Sequence, residues 1–424
     1  MFKGEKTIYV YDNFSEEKPI LLGKLYVDVI KGGETYSFEY EKVWLENNKL
    51  RMNLDPGLQP FVGRQYPIGK NIFGLFADAS PDRWGRMLLN KRERILAEKE
   101  NRKPSKLYDS DYLLGVCDET RMGGIRLKLD EAGPFVSDDM DSSVPPWTSL
   151  RTLEEASRNF EKDEKGLSNK WIAQLLKPGS SLGGARPKAT VTDTDGNLWI
   201  AKFPSKNDEI DVGAWEKVVH DLARMCGLNV PESRVEKFSK LGSTFLVKRF
   251  DRDGEKRIHF ASAMTLLGKN DGASAFDGTS YLDIAGFIKA YGANPKGDLT
   301  ELWKRIVFGM AVSNTDDHLR NHAFILSKRG WVLSPMYDVN PVPYGEELSL
   351  LVDDEDNSIS VKLAVRTATS FGISEKDAEL YAKNIVTIVR DNWEKMAKKY
   401  GLPRGQIEDM RPAFDECYKN YTFG

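Results

Sequence analysis

The 424-residue chain has only three cysteines, Cys117, Cys226 and Cys417, and four histidines. Three scattered thiols cannot build a disulfide framework or a cysteine-rich zinc site, and they fit a reducing compartment. No apolar run approaches the roughly 18 residues that a membrane span needs, so no membrane association is expected. The opening MFKGEKTIYVYDNF lacks an apolar signal core, and a cytoplasmic location is the expectation. An excess of one charge sign is missing too. Lys and Arg number 61 against 64 Asp and Glu, a formal net charge of -3. That excludes a polycationic surface over the whole chain, though not a local patch. There is no HExxH and no internal repeat.

What is present fits a globular enzyme: 40% hydrophobic and 29% charged residues. TIYVYDN, LLGKLYVDVI and TYSFEYEKVWL alternate in the manner of strands. The stretch NIFGLFADASPDRWGRMLLNKRERILAEKEN shifts to helical spacing. Between Asp82 and Lys106 nine basic residues face four acidic ones. The simplest reading is a solvated helix face, and contact with a partner or nucleic acid is the alternative. DEAGPFVSDDMDSSVPPWTS, rich in Asp, Ser and Pro, reads as a linker. Next come the glycine-rich KPGSSLGGARPK and a hairpin ATVTDTDGNLWIAKF that turns at Asp195-Gly196. An amphipathic helix follows over EIDVGAWEKVVHDLARMCGL, then a strand pair, VPESRVEKF and STFLVKRF. Beyond about residue 260 the chain reads as mostly helical. Ser374 to Tyr400 is the plainest helix, capped by Ser374 and Asp377 and stopped by Gly401 and Pro403. Its expected buried stripe is Ala378, Tyr381, Ala382, Ile385, Val389, Trp393 and Met396.

Four pieces carry chemistry. The loop Gly179 to Lys188 could cradle a phosphate with its backbone amides, yet Ala185 after Gly184 breaks the Walker pattern, and a plain connection is the alternative. Lys202 ends a strand on the same side as Ile200, as a functional lysine or as an edge residue with its ammonium in solvent. Glu216, on the following helix, either pairs with Lys202 or lies at the surface. The most specific piece is Asp316, with Asn321 five residues on, followed by Asp338 after a short strand. One carboxylate to orient a hydroxyl, and an amide oxygen with a second carboxylate to hold Mg²⁺, is what phosphoryl transfer needs. The order of glycine loop, strand lysine, helix glutamate, DxxxxN and Asp matches the parts of a two-lobed kinase. His318 and His322 read from spacing alone as structural, because no third soft ligand accompanies them. Asp353-Asp354-Glu355-Asp356 reads as a solvated loop.

FADASPDRWGRMLL, MGGIRL, SSLGGARPKA, IAKFP, LVKRFDR, NTDDHLRN and MYDVNP, in this order, resemble the HipA family of bacterial serine/threonine kinases, the toxin halves of HipBA-type toxin–antitoxin pairs. The resemblance spans nearly the whole chain. It implies an α+β, protein-kinase-like fold of two lobes with an additional N-terminal α/β subdomain and a mainly helical C-terminal lobe. The segments would be 1–130, a linker at 131–150, an N-lobe at 151–255 and a C-lobe at 256–424. It implies ATP and Mg²⁺ as cofactors, Asp316 as the catalytic residue, and Asn321 and Asp338 as metal ligands. Ser181, Leu182, Gly183, Gly184, Ala185, Lys188, Lys202, Glu216, Lys248, Arg249, Phe250 and His318 would line the nucleotide. Val247 to Phe250 correspond to the hinge that receives adenine, largely through backbone groups. Ser181 corresponds to the serine that family members autophosphorylate, with Ser180 as the adjacent candidate. The implied partners are a HipB-type DNA-binding antitoxin, with DNA reached through it, and a protein substrate, for which an aminoacyl-tRNA synthetase is one candidate. Two departures stand out: Lys248 replaces an acidic residue at the hinge, and Asp317 replaces a small residue after the catalytic position. The rival reading is a catalytically weak corepressor, and a small-molecule kinase is a third. The complete catalytic set and Mg²⁺-dependent ATP turnover separate the first from the second.

Overall fold

The computed structural model describes residues 5–30, 32–47, 53–136, 144–162, 175 and 184–415. The chain divides into two compact units, one built from 1–206 and 248–261, the other from 207–247 and 262–424.

Unit one begins with β1 (Lys6–Asp12), β2 (Ile20–Ile30) and β3 (Gly33–Tyr40). These make an antiparallel meander, and β4 (Ile125–Lys128) joins it along β1, giving the order β3-β2-β1-β4. Alternation buries Ile8, Val10, Leu25 and Phe38 on one face, where Phe38 meets Phe76 at a ring distance of 5.6 Å. The third predicted strand ends sooner than expected. Lys42–Asn47 is helical, and Trp44 stacks on Tyr40 and donates its indole N–H to Asp12. Between β3 and β4 runs α1 (Arg83–Lys99), capped by Asp82, whose Oδ1 accepts from the Gly85 N–H at 2.8 Å. A second helix, α2 (Leu150–Glu161), precedes the hairpin of β5 (Lys188–Thr192) and β6 (Leu198–Lys202). The hairpin turns where expected. Asp193 accepts from the N–H groups of Asp195 and Asn197, and Gly196 takes φ 82°.

Buried charge holds the returning segment of this unit. Arg249 pairs with Asp251 through Nε and Nη2, at 2.8 and 2.7 Å, and donates from Nη1 to the Thr120 carbonyl. Arg252 adds a bond to Asp251, and Arg257 reaches Asp118. Burial would raise the Asp251 carboxyl, but Arg249 and Arg252 hold it well below the ordinary carboxylate range. Nearby, the His259 ring stacks on Phe14 at 4.6 Å.

Unit two is mainly helical. Its first helix, α3 (Val212–Met225), was expected to be amphipathic but is buried from Gly213 to Ala223. Gly213 sits so close to the next strand that a Cβ would lie 2.0 Å from the Ser243 carbonyl oxygen. Asp211 caps α3 and also accepts from the Ser243 N–H and hydroxyl. β7 (Ser233–Glu236) pairs antiparallel with β8 (Thr244–Lys248). α4 (Tyr281–Tyr291) and α5 (Pro295–Ala311) follow, the latter burying Leu302, Ile306 and Met310 as its spacing predicted. β9 (Ala323–Ser327) and β10 (Gly330–Leu333) form a hairpin. α6 (Glu375–Lys399) carries the expected Ser374 cap and ends before Gly401 at φ 73°. Its buried stripe differs in detail: Val386 and Ala397 are inside, while Tyr381 and Met396 are only half-buried. Lys304 lies over the Tyr381 ring, so that ring serves as a lid over a cation rather than as core. In the acidic run, Asp353 accepts from the N–H groups of Glu355 and Asp356 and pairs with Arg366. No helix among the described residues is long and apolar enough to cross a membrane.

Burial pushes the His259 imidazole from 6.5 down to about 4, with Asp12 opposing weakly. The unfolded chain therefore binds a proton that the folded chain refuses. Stability is complete above the unfolded value and falls as the pH drops from 6.5 toward 4. The loss should reach roughly 3 kcal/mol, read from urea midpoints against pH. His259→Phe should flatten that slope.

A candidate phosphoryl-transfer loop

Residues 312–322 lead from the buried end of α5 into β9. Ser313 adopts φ 50°, and the Asn314 N–H turns back to the Gly309 carbonyl at 2.8 Å. Asp316 and Asp317 then point in opposite directions. The Asp316 side chain is 83% exposed, with His318 Nε2 4.0 Å away. Asp317 is buried. Its Oδ2 accepts from the Tyr281 hydroxyl at 2.7 Å and meets His322 Nε2 at 3.0 Å. Burial would raise the Asp317 carboxyl, but His322 and Tyr281 bring it below its usual value. The same burial and the adjacent carboxylate drive Tyr281 well above 10.

Asn321 closes the loop. Its Nδ2 donates to the Asp316 carbonyl at 2.7 Å, and its own N–H donates to the His318 carbonyl. The other amide atom, Oδ1, is buried and accepts no hydrogen bond from the protein. The segment carrying Asp338 is sewn to this loop by three bonds. The Tyr337 hydroxyl donates to the Arg320 carbonyl at 2.6 Å, the Asn340 N–H to Asn314 Oδ1, and the Val342 N–H to the Ser313 carbonyl. Asp338 itself takes φ 59°. The loops bearing Asp316, Asn321 and Asp338 are thus one stitched body. Among the described residues no group of three His, Cys, Asp or Glu is assembled as a metal site. A divalent ion here would rest on a mixed carboxylate and amide set, and the unpaired Asn321 oxygen has the hard character that Mg²⁺ prefers.

The other expected positions divide unevenly. Ser181, Leu182 and Gly183 lie outside the described residues, as do Ser180 and Cys417. Gly184 takes φ 74°, and Ala185 is exposed. Lys202 is buried at 8% exposure, so its ammonium does not stand in open solvent. It faces Lys188 across the β5–β6 ladder. The Lys188 ammonium is bonded to Asp82 at 2.8 Å and to the Gly184 carbonyl at 3.4 Å. Trp84 reinforces this, its indole N–H donating to the Lys188 carbonyl. Glu216, for which a surface position was one alternative, is 3% exposed within α3. Lys248 is half-buried. The Arg249 side chain is committed to Asp251 and its N–H to the Leu198 carbonyl, while Phe250 rests against Phe260. Sequence reasoning missed Tyr281 and Asp82. The one available signal for Tyr281 was that Asp317 and His322, five apart, are both polar at the edge of an apolar region.

Asp82→Ala removes a helix cap and the carboxylate that pairs with the buried Lys188 ammonium. It should cost roughly 3–5 kcal/mol in a urea titration. Asp82→Asn, which keeps the cap acceptor, should lose less.

Comparison with known proteins follows the same lines. The model of the HipA-like C-terminal domain matches residues 180–393. A Sinorhizobium fredii protein named "Putative kinase Y4dM" is 23% identical over 394 residues, covering 86% of this chain and 87% of that one. The serine/threonine-protein kinase toxin HipA of Shewanella oneidensis is 25% identical over 290 residues, covering 59% and 65%. A solved structure of the Shewanella oneidensis toxin–antitoxin system, containing HipA, HipB and operator DNA, has a chain of the same fold. It aligns with TM-score 0.67 at 17% identity, over 96% of this chain and 95% of that one. The fold is accordingly the kinase-like α+β one, and with half of its length matched by the family model, this chain belongs to the HipA-like family.

Proposed function

We propose that the chain is an ATP- and Mg²⁺-dependent serine/threonine protein kinase. The observation that carries the reading is the Asn321 amide. Its nitrogen is fixed on the Asp316 carbonyl and its buried oxygen is left without a protein partner. Buried polar atoms are ordinarily paired, so an oxygen left open beside two carboxylate-bearing loops supports a cation ligand.

In this reading Asp316, with its exposed carboxylate, orients the substrate hydroxyl and accepts its proton. Asn321 Oδ1 and Asp338 hold Mg²⁺, which when bound neutralises charge on the phosphates. Lys202, Glu216 and the amides of the 179–188 loop serve the nucleotide, and the backbone of Val247 to Phe250 receives adenine. Residues 151–255 act as the nucleotide lobe and 256–424 as the substrate lobe. Positioning and electrostatics supply most of the rate, since little covalent chemistry falls to the protein. The structural relative solved with HipB and operator DNA supports a HipB-type antitoxin as partner, with DNA contacted through it. The substrate is a protein, an aminoacyl-tRNA synthetase being one candidate, and the site of action is the cytoplasm. Autophosphorylation at Ser181 would switch the enzyme off.

Because the Asp316 side chain is mostly in solvent, Asp316→Asn should leave the circular dichroism spectrum and melting point unchanged. Phosphate transfer from radiolabelled ATP should fall by about 100-fold or more. Transfer at the wild-type rate would end this assignment. Incubation of wild type with ATP and Mg²⁺ should add a single phosphate to the tryptic peptide containing Ser180 and Ser181, detected by mass spectrometry. The Asp316→Asn protein should stay unmodified.

A further inference from the structure

Two crosslinks span the loop between Asp316 and His322, and they involve consecutive residues on both sides. The outer one runs from Asn321 Nδ2 to the Asp316 carbonyl at 2.7 Å. The inner one joins their neighbours, His322 Nε2 to Asp317 Oδ2 at 3.0 Å. The inner link is anchored from outside the loop. The Tyr281 hydroxyl, from the first residue of α4, bonds the same Asp317 oxygen at 2.7 Å, and its ring meets the His322 ring edge-on at 5.6 Å. The His322 carbonyl accepts from the Ala263 N–H at 2.8 Å, which fixes the far end of the loop.

This geometry constrains Asn321 rather than merely filling space. An amide side chain that gives up one hydrogen bond can rotate and exchange its nitrogen and oxygen. Here the nitrogen has a carbonyl to face only while the Asp316–Asn321 span keeps its length. The span is held by a second bond of the same length in sequence, shifted one residue toward the C-terminus at both ends. We infer that Asp317, His322 and Tyr281 are positioning residues that aim Asn321 Oδ1 at a divalent cation. On this account the carboxylate at position 317 is no additional cation ligand. Its Oδ2 is spent inward on an imidazole and a phenol, which holds this third acidic group away from Asp316. Outer partners of this kind tune a metal ligand without touching the metal.

The inference rests on the proposed cation site, and the test separates the two. Mn²⁺ would be titrated into the full chain with a non-hydrolysable ATP analogue, and free Mn²⁺ read by electron paramagnetic resonance, so that no turnover is needed. Wild type should bind. His322→Phe should weaken Mn²⁺ binding by about 10-fold or more, in the range usual for outer-shell losses. His322→Gln keeps an N–H at the reach of Nε2 and should stay within about 3-fold of wild type. Tyr281→Phe keeps the ring and loses only the hydroxyl, and it should weaken binding by roughly 3–10-fold even if His322→Phe fails to fold. Unchanged affinity in the Phe variants beside a binding wild type would overturn the clasp alone. Equal loss in His322→Gln and His322→Phe would overturn it as well, since packing and not the hydrogen bond would then matter. A wild-type chain that binds no Mn²⁺ with the analogue would remove the cation site, and the clasp with it.

Discussion

The cost of leaving a polar group dry and unpaired governs the loop on which the rest of unit two converges. Asp317 is buried at the end of an apolar helix, where an isolated carboxylate would be expensive. It is tolerated because a phenol and an imidazole meet it. Once that pair of contacts is made, the chain direction at 316 and at 321 is fixed, and Asp316 has nowhere to point but outward. The same reasoning makes two of the unpaired atoms informative. Buried oxygens without a protein partner include Asn321 Oδ1 and Asn340 Oδ1, one on each of two loops bonded to each other. In native proteins such atoms are exceptions that call for a reason.

Unit one solves a different electrostatic problem. Lys188 and Lys202 stand opposite each other on adjacent strands and both are buried. Like charges so placed repel, and Asp82 offsets one of them from the start of α1. A residue in the N-terminal third of the chain thereby takes part in the electrostatics of the glycine-loop hairpin. The Arg249–Asp251 pair links another distant stretch, since its guanidinium also grips the carbonyl of Thr120. Buried pairs of this sort contribute little net stability over an apolar core. Breaking one partner is severe, so they enforce a particular chain path.

Much of this was legible beforehand. The strand alternation, the Asp195-Gly196 turn, the Ser374 cap and the apolar spacing of α5 each reflect local rules, and each appears in place. The ordered motifs were enough to indicate the family. What escaped notice was nonlocal. Nothing near Asp82 announces Lys188, more than a hundred residues later, and nothing near Tyr281 announces Asp317. The α3 helix read as amphipathic because Glu216, Lys217, His220 and Asp221 are polar, yet all four are buried. Lys217 and Asp221 pair with each other and His220 meets Ser233, so hydrophobicity alone misjudged a polar side chain that brings its own partner inside. The end of the third strand was misplaced because Trp44 looks β-prone, and its indole instead serves a buried aspartate.

The backbone at Asp338 carries a consequence of its own. Its φ of 59° lies in a region where a Cβ crowds the following carbonyl and which asparagine, aspartate and glycine enter most readily. Of those three, glycine offers no side-chain oxygen at all. In the proposed role of Asp338 as a cation ligand, evolutionary drift at this position is squeezed from two independent directions, main-chain sterics and ligand chemistry. The pool of acceptable replacements shrinks to a single amide, so the site should be among the slowest in the chain to vary.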